Sequence, residues 1–469
     1  MGRFFEWLDG LAGIDANGGV LLWLERAIFI FLVLMVVSAS HSIAATQTAW
    51  LTGMFLWLVL VAVRRKLEPT SRKGDKLFRI LNLSLWAFFF WSVITSFTSY
   101  APDISIDKLR GVSVFLIFYF VYYSARNLRA VHFLAFTLVV SCMVNVLWVP
   151  VQRLIGRGVE IHGLAADGAM AKALLWEGDT LLEANGKKVY SPEDVLAAVE
   201  QNEMTKVKFY RPDFDFVVDV KRADLLQSSN AMEQLGFSSW KKSRNWRSTG
   251  FYGHYTTYAE VLQLIASLVL GLFVASIGRR TAETQRRRES EGKPSIAERI
   301  KLLLSTTPFL LFSLAAMCLA LLLTVTRASQ LAFMISAAVI VVVGLGRKWL
   351  LRGALIGLPV MIIGLLFLQQ SRQVGFFDTK DDSIRWRETV WHEGFELWKS
   401  SPRNFVLGVG MDSIKRYAPE WHLFGDGRLN MGHFHSTPLQ LLVERGFPAL
   451  LIWLVILGVY LRMLWQSLS

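Results

Sequence analysis

The sequence predicts an all-α polytopic membrane protein of about ten transmembrane helices, with one small α+β domain inserted between two of them. Of its 469 residues, 53% are hydrophobic, and the mean hydropathy is +0.39. Those values are typical of polytopic membrane proteins and too apolar for an ordinary soluble chain. Apolar runs of about 20 residues recur, and each is long enough to cross a hydrocarbon core of about 30 Å as a helix.

The apolar runs place the expected spans along the chain, with a gap in the pattern after residue 153 and another after residue 370. In order, the spans lie at 22–40, 44–63, 78–99, 106–124, 130–153, 252–277, 302–324, 329–346, 350–370 and 447–464. Near the amino terminus, no short apolar segment is followed by a small-residue cleavage site, so we expect no removable signal peptide.

Positive charge in the short loops predicts the orientation of the chain. Lys and Arg cluster at 64–73 and again at 279–288. Because short basic loops stay in the cytoplasm, both termini are expected inside. The long segments 154–250 and 371–446 are then expected outside.

The net charge of +13 and the pI of about 9.7 fit a membrane protein with topogenic charge and an attraction to anionic membrane lipids. Basic loops that adjoin membrane spans argue against a nucleic-acid partner. Cys142 and Cys318 both fall within expected spans, so the sequence implies no disulfide framework.

Residues 157–224 interrupt the membrane pattern and predict a small α+β domain. The Asn185-Gly186 pair is a strong hairpin signal after a short strand. Ser191-Pro192 predicts the start of a helix with an apolar stripe. Two alternating segments, 207–210 and 214–220, predict paired strands.

This segment resembles a PDZ domain of the kind found in bacterial periplasmic proteases. The resemblance is clearest in AKALLWEGDTLLEANGKKV, at 171–189. PDZ domains bind extended peptides by adding a strand to a sheet edge, so a peptide ligand of this domain is one candidate partner. A passive spacer or lid is an equal alternative.

The second outer segment, 371–446, predicts a surface helix and a glycine-rich bend. Trp391, Phe395 and Trp398 recur at roughly helical spacing among charged residues, as in a helix that lies on a membrane surface. Gly410, in the bend that follows, allows either a close backbone approach to a ligand or an ordinary turn. The expected domains are therefore 1–153 (membrane helices), 157–224 (PDZ-like), 247–370 (membrane helices with arginine motifs), 371–446 (outer loop with a histidine motif) and 447–469 (last span).

Three residues at the expected outer face are candidates for chemistry: Arg247, Arg327 and His435. Arg327 lies in a very short connection between two spans, where a cation usually meets a carboxylate or a phosphate. Each has a structural alternative, because either arginine could anchor at lipid headgroups and His435 could be a hydrogen-bonded structural histidine. His433 and His435 together could also suggest a metal, but without further ligands they make a poor metal site.

Taken jointly, these segments resemble the O-antigen ligase and O-antigen polymerase family of bacterial envelope proteins. Arg327-Ala-Ser-Gln-Leu331 fits that family's Arg-x-x-x-Leu motif. His435-Ser436, followed by nine residues and Gly446, fits its His-[Asn/Ser/Gln]-x9-Gly motif. Ala449, at the next motif position, is a mild departure.

The segment Arg247-x-x-Gly250 and the aromatic residues after it look like the third functional arginine of that family. The resemblance covers roughly residues 247–464. Two departures are the small number of spans, where the family usually has about twelve, and the PDZ-like insertion.

The resemblance implies a membrane glycosyltransferase of the GT-C type in the bacterial inner membrane, with its active site facing the periplasm. It implies a glycan donor linked to undecaprenyl diphosphate, a lipid A-core or other hydroxyl acceptor, and no cofactor or metal. His435 would be the general base, and Arg247 and Arg327 would be catalytic and bind the diphosphate. Tyr252 and Gly410 would bind substrate, and attack opposite the diphosphate would invert the anomeric carbon.

Several alternatives stay open at this point. A polymerase of O-antigen or exopolysaccharide and a protein O-oligosaccharyltransferase use the same chemistry with another acceptor. A transporter or flippase fits less well, because no spans broken by glycine or proline occur at matched positions and the candidate residues cluster at one face. A PDZ-bearing membrane scaffold would give Arg327 and His435 no role.

Overall fold

The computed structural model describes residues 2–14, 18–64, 76–211, 214–290, 306–346, 382–426 and 432–468, with single positions at 348, 351, 353 and 355. The chain divides into two compact units. The first comprises Met1–Met35, Gln47–Phe133 and Gln373–Ser469, and the second comprises Val36–Thr46 and Leu134–Arg372.

Most of the described residues lie in α-helices. In chain order these are α1 (Gly2–Ala12), α2 (Gly19–Ser38), α3 (Ile43–Arg64), α4 (Lys76–Phe97), α5 (Pro102–Val112), α6 (Leu116–Ser124), α7 (Leu128–Ile155), α8 (Ala169–Lys172), α9 (Pro192–Glu200), α10 (Ala231–Leu235), α11 (Tyr255–Ser290), α12 (Thr306–Thr324), α13 (Arg327–Leu345), α14 (Asp382–Lys399), α15 (Pro402–Leu407), α16 (Ser413–Tyr417) and α17 (Thr437–Leu468). Three short 3-10 helices lie at Ser113–Phe115, Arg222–Asp224 and Gly250–Tyr252.

Eight of the described helices are long and apolar enough to cross a membrane: α2, α3, α4, α7, α11, α12, α13 and α17. The chain is therefore a polytopic membrane protein, while the expected count of about ten spans is not confirmed. In place of one span at 106–124, the chain forms α5, a 3-10 turn and α6. The span expected at 350–370 lies almost entirely outside the described residues.

In the first unit, α17 packs against α4, α14 and α15. A buried apolar cluster joins these helices, with Val390 from α14, Val443 from α17 and Phe434 from the segment before α17. The helix α17 is broken at Gly446, whose φ of 75° is not helical. Its amino-terminal part therefore belongs to this cluster, and the final apolar run begins after the break.

In the second unit, α11 packs against both α12 and α13. Their core is apolar and centres on the fully buried Leu262, Ala266 and Met317, with Val139 and Val146 from α7. Arg327 is the first residue of α13, and Arg247 lies in the segment that leads to α11.

The insertion in the second unit is an α+β domain built on a six-stranded antiparallel sheet. Its strands are β1 (Arg157–Leu164), β2 (Thr180–Ala184), β3 (Lys187–Lys188), β4 (Met204–Arg211), β5 (Phe214–Lys221) and β6 (Phe237–Ser243). The strand order is β5-β4-β2-β1-β6, and β3 pairs with β2. Because β6 pairs with β1, the sheet extends to Ser243, beyond the limit of 157–224 expected from the sequence.

Local signals in the insertion act as expected. Asn185 and Gly186 both have positive φ, at 48° and 78°, and they form the tight turn between β2 and β3. Ser191 and Asp194 form a capping box at the start of α9, with Pro192 in its first turn. Resemblance to a PDZ domain stays a prediction.

Candidate functional site

The Arg247 guanidinium in the second unit holds the turn between α12 and α13. Its Nε donates to the carbonyl oxygen of Thr324 at 3.0 Å, and its Nη2 donates to that of Val325 at 2.6 Å. The guanidinium also lies 3.6 Å from the ring centroid of Tyr255, a cation–π contact. Ser248 adds a backbone hydrogen bond to Leu323 at 3.0 Å. The segment that carries Arg247 is therefore fixed to the end of α12.

Arg327 is the first residue of α13, directly after that turn. Val325 has a φ of 52°, a left-handed conformation that a β-branched residue rarely adopts. Such strained residues cluster at functional sites. Thr326, the residue before the helix, makes no side-chain capping bond, and Arg327 lies in the first turn of the helix, where the dipole is positive. The structure thus brings Arg247 and Arg327 to one turn.

Gly250 explains the spacing of the Arg247-x-x-Gly250 motif. It is buried, with a φ of 52°, and a side chain there would clash with Asn145 Oδ1 and the Tyr258 ring. Tyr252 is placed by packing as well, because its hydroxyl donates to the carbonyl oxygen of Ala39. Its expected substrate contact stays a prediction.

His435 lies in the first unit, two residues before α17, with an exposed side chain and a φ of 50°. Its neighbour Phe434 anchors it. The Phe434 ring is fully buried, its N–H donates to Gln440 Oε1 at 2.9 Å, and its carbonyl accepts from Trp391 Nε1 at 2.7 Å. This arrangement holds an imidazole rigidly at the surface in a strained backbone conformation, which suits a functional histidine.

Two rings and one cation surround the His435 imidazole. The Trp386 ring meets it edge-on with centroids 5.1 Å apart, and the His433 ring lies 3.9 Å away. Partial desolvation lowers the pKa of His435 below its ordinary value of 6.5, and electrostatic repulsion from His433 and Arg387 lowers it further. Each effect disfavours the imidazolium and favours the neutral imidazole that a general base requires.

The pH dependence of transfer follows from this shift. The acid limb of kcat/KM is expected to have its midpoint below pH 6.5, and Arg387→Gln is expected to move that midpoint upward because a repelling charge is removed. The matched control is Arg416→Gln, since Arg416 pairs with Asp103. An acid limb unchanged by Arg387→Gln would mean that another group titrates.

Gly446 is the last residue of the histidine motif, and steric contacts explain why this position is a glycine. Its φ is 75°, and a side chain there would clash with the carbonyl oxygen of Val406 in α15. Gly408, with a φ of 71°, meets the backbone of Glu444 in the same way. The two glycines let α15 and the start of α17 approach closely, and this packing fixes the break in α17 at Gly446.

Gly446→Ala is therefore expected to destabilise the protein by about 2 kcal/mol or more, because it adds a steric clash to an unfavourable φ. Thermal melting of the purified protein in detergent measures the effect. Gly458→Ala is the control, because Gly458 lies in the same helix with open space around it. Equal melting temperatures for the two variants would contradict the steric account.

Gly410 is explained by packing against protein atoms. Its φ is 100°, and a side chain there would clash with the Ser99 hydroxyl, which itself bonds Ser105 and Ser413 at 2.8 Å. Its N–H donates to the carbonyl oxygen of Glu444 at 2.9 Å. The substrate contact expected at Gly410 stays a prediction.

Glu444 and Arg445, which no sequence motif singles out, adjoin a cavity of about 480 Å³ in the first unit. Glu444 is buried, and its Oε1 accepts hydrogen bonds from the Asp412 N–H at 2.9 Å and Gln440 Nε2 at 2.7 Å. The Arg445 guanidinium lies 5.2 Å from the Phe88 ring centroid. Glu444 thus ties the glycine bend to α17. The signal in the sequence was a charged pair inside an apolar helix.

Comparison with known proteins tests the family. Residues 312–454 match the family model described as O-Antigen ligase, a range that includes both Arg327 and His435 but not Arg247. No curated protein and no solved structure gives a match. This match supports the family expected from the motifs, and residues 312–454 are therefore similar to the O-antigen ligase family.

Proposed function

We propose that this protein is an inverting glycan transferase of the O-antigen ligase type, which moves a glycan from undecaprenyl diphosphate to a hydroxyl of a lipid A-core. The family match over residues 312–454 carries the general activity, because it contains two of the three motifs. In this proposal the protein lies in the bacterial inner membrane and works at the periplasmic face.

Arg327 is proposed to bind the diphosphate. A guanidinium grips phosphate oxygens through a bidentate fork, and the N-terminus of α13 adds favourable dipole charge beside it. As the anomeric bond breaks, negative charge grows on the leaving diphosphate and the fixed positive charge stabilises it. Transfer then needs no metal ion, so we expect it to continue in the presence of EDTA.

Arg247 has a second task in this proposal. Two of its N–H groups hold the Thr324 and Val325 carbonyl oxygens, so it supports the strained turn that precedes Arg327. Its charge also adds to the positive potential offered to the diphosphate.

His435 is proposed to remove the proton from the acceptor hydroxyl. Its lowered pKa favours the neutral imidazole, and its anchored backbone fixes its direction. Attack from the side opposite the diphosphate inverts the anomeric carbon.

The experiment that tests this function deletes the gene in its host and analyses the envelope glycans. A ligase predicts complete polymer left on the lipid carrier. Single repeat units on the carrier would instead indicate the polymerase, loss of glycans from proteins would indicate a protein O-oligosaccharyltransferase, and normal glycans would contradict all three.

A further inference from the structure

The inserted domain touches the segment that carries Arg247. Directly after β6 the chain runs through Trp246, which is buried, to Arg247 and Ser248. Only three residues separate the end of β6 at Ser243 from Arg247. The position of β6 therefore restricts where Arg247 can lie.

Tyr210 of β4 makes a direct contact with Arg247. The Tyr210 hydroxyl accepts a hydrogen bond from the Arg247 backbone N–H at 3.3 Å. Tyr210 is itself buried, and β4 is held on both sides, by β2 and β5. The hydroxyl that meets Arg247 is thus part of a rigid sheet.

Arg157, at the start of β1, contacts both a ring of the domain and a ring of the segment that carries Arg247. Its guanidinium carbon lies 4.7 Å from the ring centroid of Tyr210 and 4.7 Å from that of Trp246. Within the described residues, its buried Nε has no hydrogen-bond partner. The cation–π contacts with the Tyr210 and Trp246 rings therefore hold this guanidinium in place.

The helix α7 also holds this segment through Arg153. Arg153 of α7 donates to the carbonyl oxygen of Trp246, and its Nε lies 3.4 Å from the Ser248 hydroxyl. β1 is meanwhile flanked by β2 and β6, so neither of its edges is open to an added peptide strand. The strand that fills the outer edge of β1 is the one that leads to Arg247.

We propose that the inserted domain is a positioning element for the arginine pair, in which Tyr210 and Arg157 hold Arg247 against the turn that precedes Arg327. The domain acts on Arg247 through its own strand β6, which is paired with β1 of the same sheet. This inference rests on the proposed function, because it assumes that Arg247 and Arg327 serve diphosphate binding.

The test measures inhibition of transfer by added undecaprenyl diphosphate, the released product, together with KM for the acceptor. Tyr210→Phe removes only the hydroxyl, and Arg157→Lys keeps the charge but loses the planar contact. Each is expected to weaken this inhibition roughly three- to tenfold, the effect of about one net hydrogen bond, with the acceptor KM unchanged. Tyr190→Phe is the control, because Tyr190 is an exposed tyrosine of the same domain.

Arg247→Gln distinguishes failure of the proposed role of the arginines from failure of the proposed role of the domain. If Arg247→Gln leaves product inhibition unchanged, the proposed role of the arginines fails. If Arg247→Gln weakens inhibition while Tyr210→Phe and Arg157→Lys behave like Tyr190→Phe, the positioning role of the domain is wrong. A matching fall of melting temperature and activity, with product inhibition unaltered, would show a purely structural role and would also overturn the inference.

Discussion

Replacing His435 by alanine is expected to lower the rate of glycan transfer by about 10²- to 10⁴-fold, the usual contribution of a positioned general base. The physical reason is that an acceptor hydroxyl is a weak nucleophile until its proton is removed. The loss should lie in kcat, because the imidazole acts on the reacting proton and contributes little to binding of the donor. The measurement is transfer by the purified variant, in lipid, with saturating donor.

The matched control is His392→Ala, since His392 is also an exposed histidine and lies in α14. The two variants should melt at similar temperatures, because the anchors of this region are Phe434, Trp391 and Gln440. Full activity of His435→Ala would reject the base assignment.

Arg327→Lys is expected to reduce kcat by about 10²- to 10³-fold, although it conserves the charge. An ammonium is a compact point charge and cannot reproduce the two parallel hydrogen bonds of a guanidinium to a phosphate. Arg327→Ala should lose more, because the positive charge is removed as well. Single-turnover measurements with the lipid-linked donor separate this loss from product release.

Arg110→Lys provides the comparison, because Arg110 is an exposed arginine whose partner, Asp107, also accepts an ammonium. Insertion and folding of both variants are checked by their yield and melting temperature. If Arg327→Lys retained wild-type kcat, a bidentate grip on the diphosphate would be untenable.

Local patterns in the sequence predicted the parts of the fold that depend on local physics. Among the described residues, apolar length located the eight helices that are long and apolar enough to span a membrane, and Asn185-Gly186 located a hairpin. Segment 106–124 shows where this reasoning fails, because composition alone does not reveal the 3-10 turn at Ser113–Phe115. Strand β6 was missed since FSSWKKS is largely polar, and its place in the sheet depends on pairing with a distant β1.

The candidate site was also predicted only in part from local patterns. The motifs located Arg247, Arg327 and His435, but spacing could not show that the Arg247 guanidinium binds backbone carbonyl oxygens. The contact of Tyr210 with Arg247 joins residues that lie far apart in the chain, and no local pattern signals it. The packing of Gly410 against the Ser99 and Ser105 hydroxyls also joins residues far apart in the chain, and no local pattern signals it.

The most direct test of ligase activity uses the purified wild-type protein in vesicles, with undecaprenyl diphosphate-linked glycan, lipid A-core and EDTA. We expect a glycan joined to the lipid A-core with inverted anomeric configuration, and one undecaprenyl diphosphate released for each bond formed. A glycan that stays on its carrier, or one transferred with retained configuration, would contradict it.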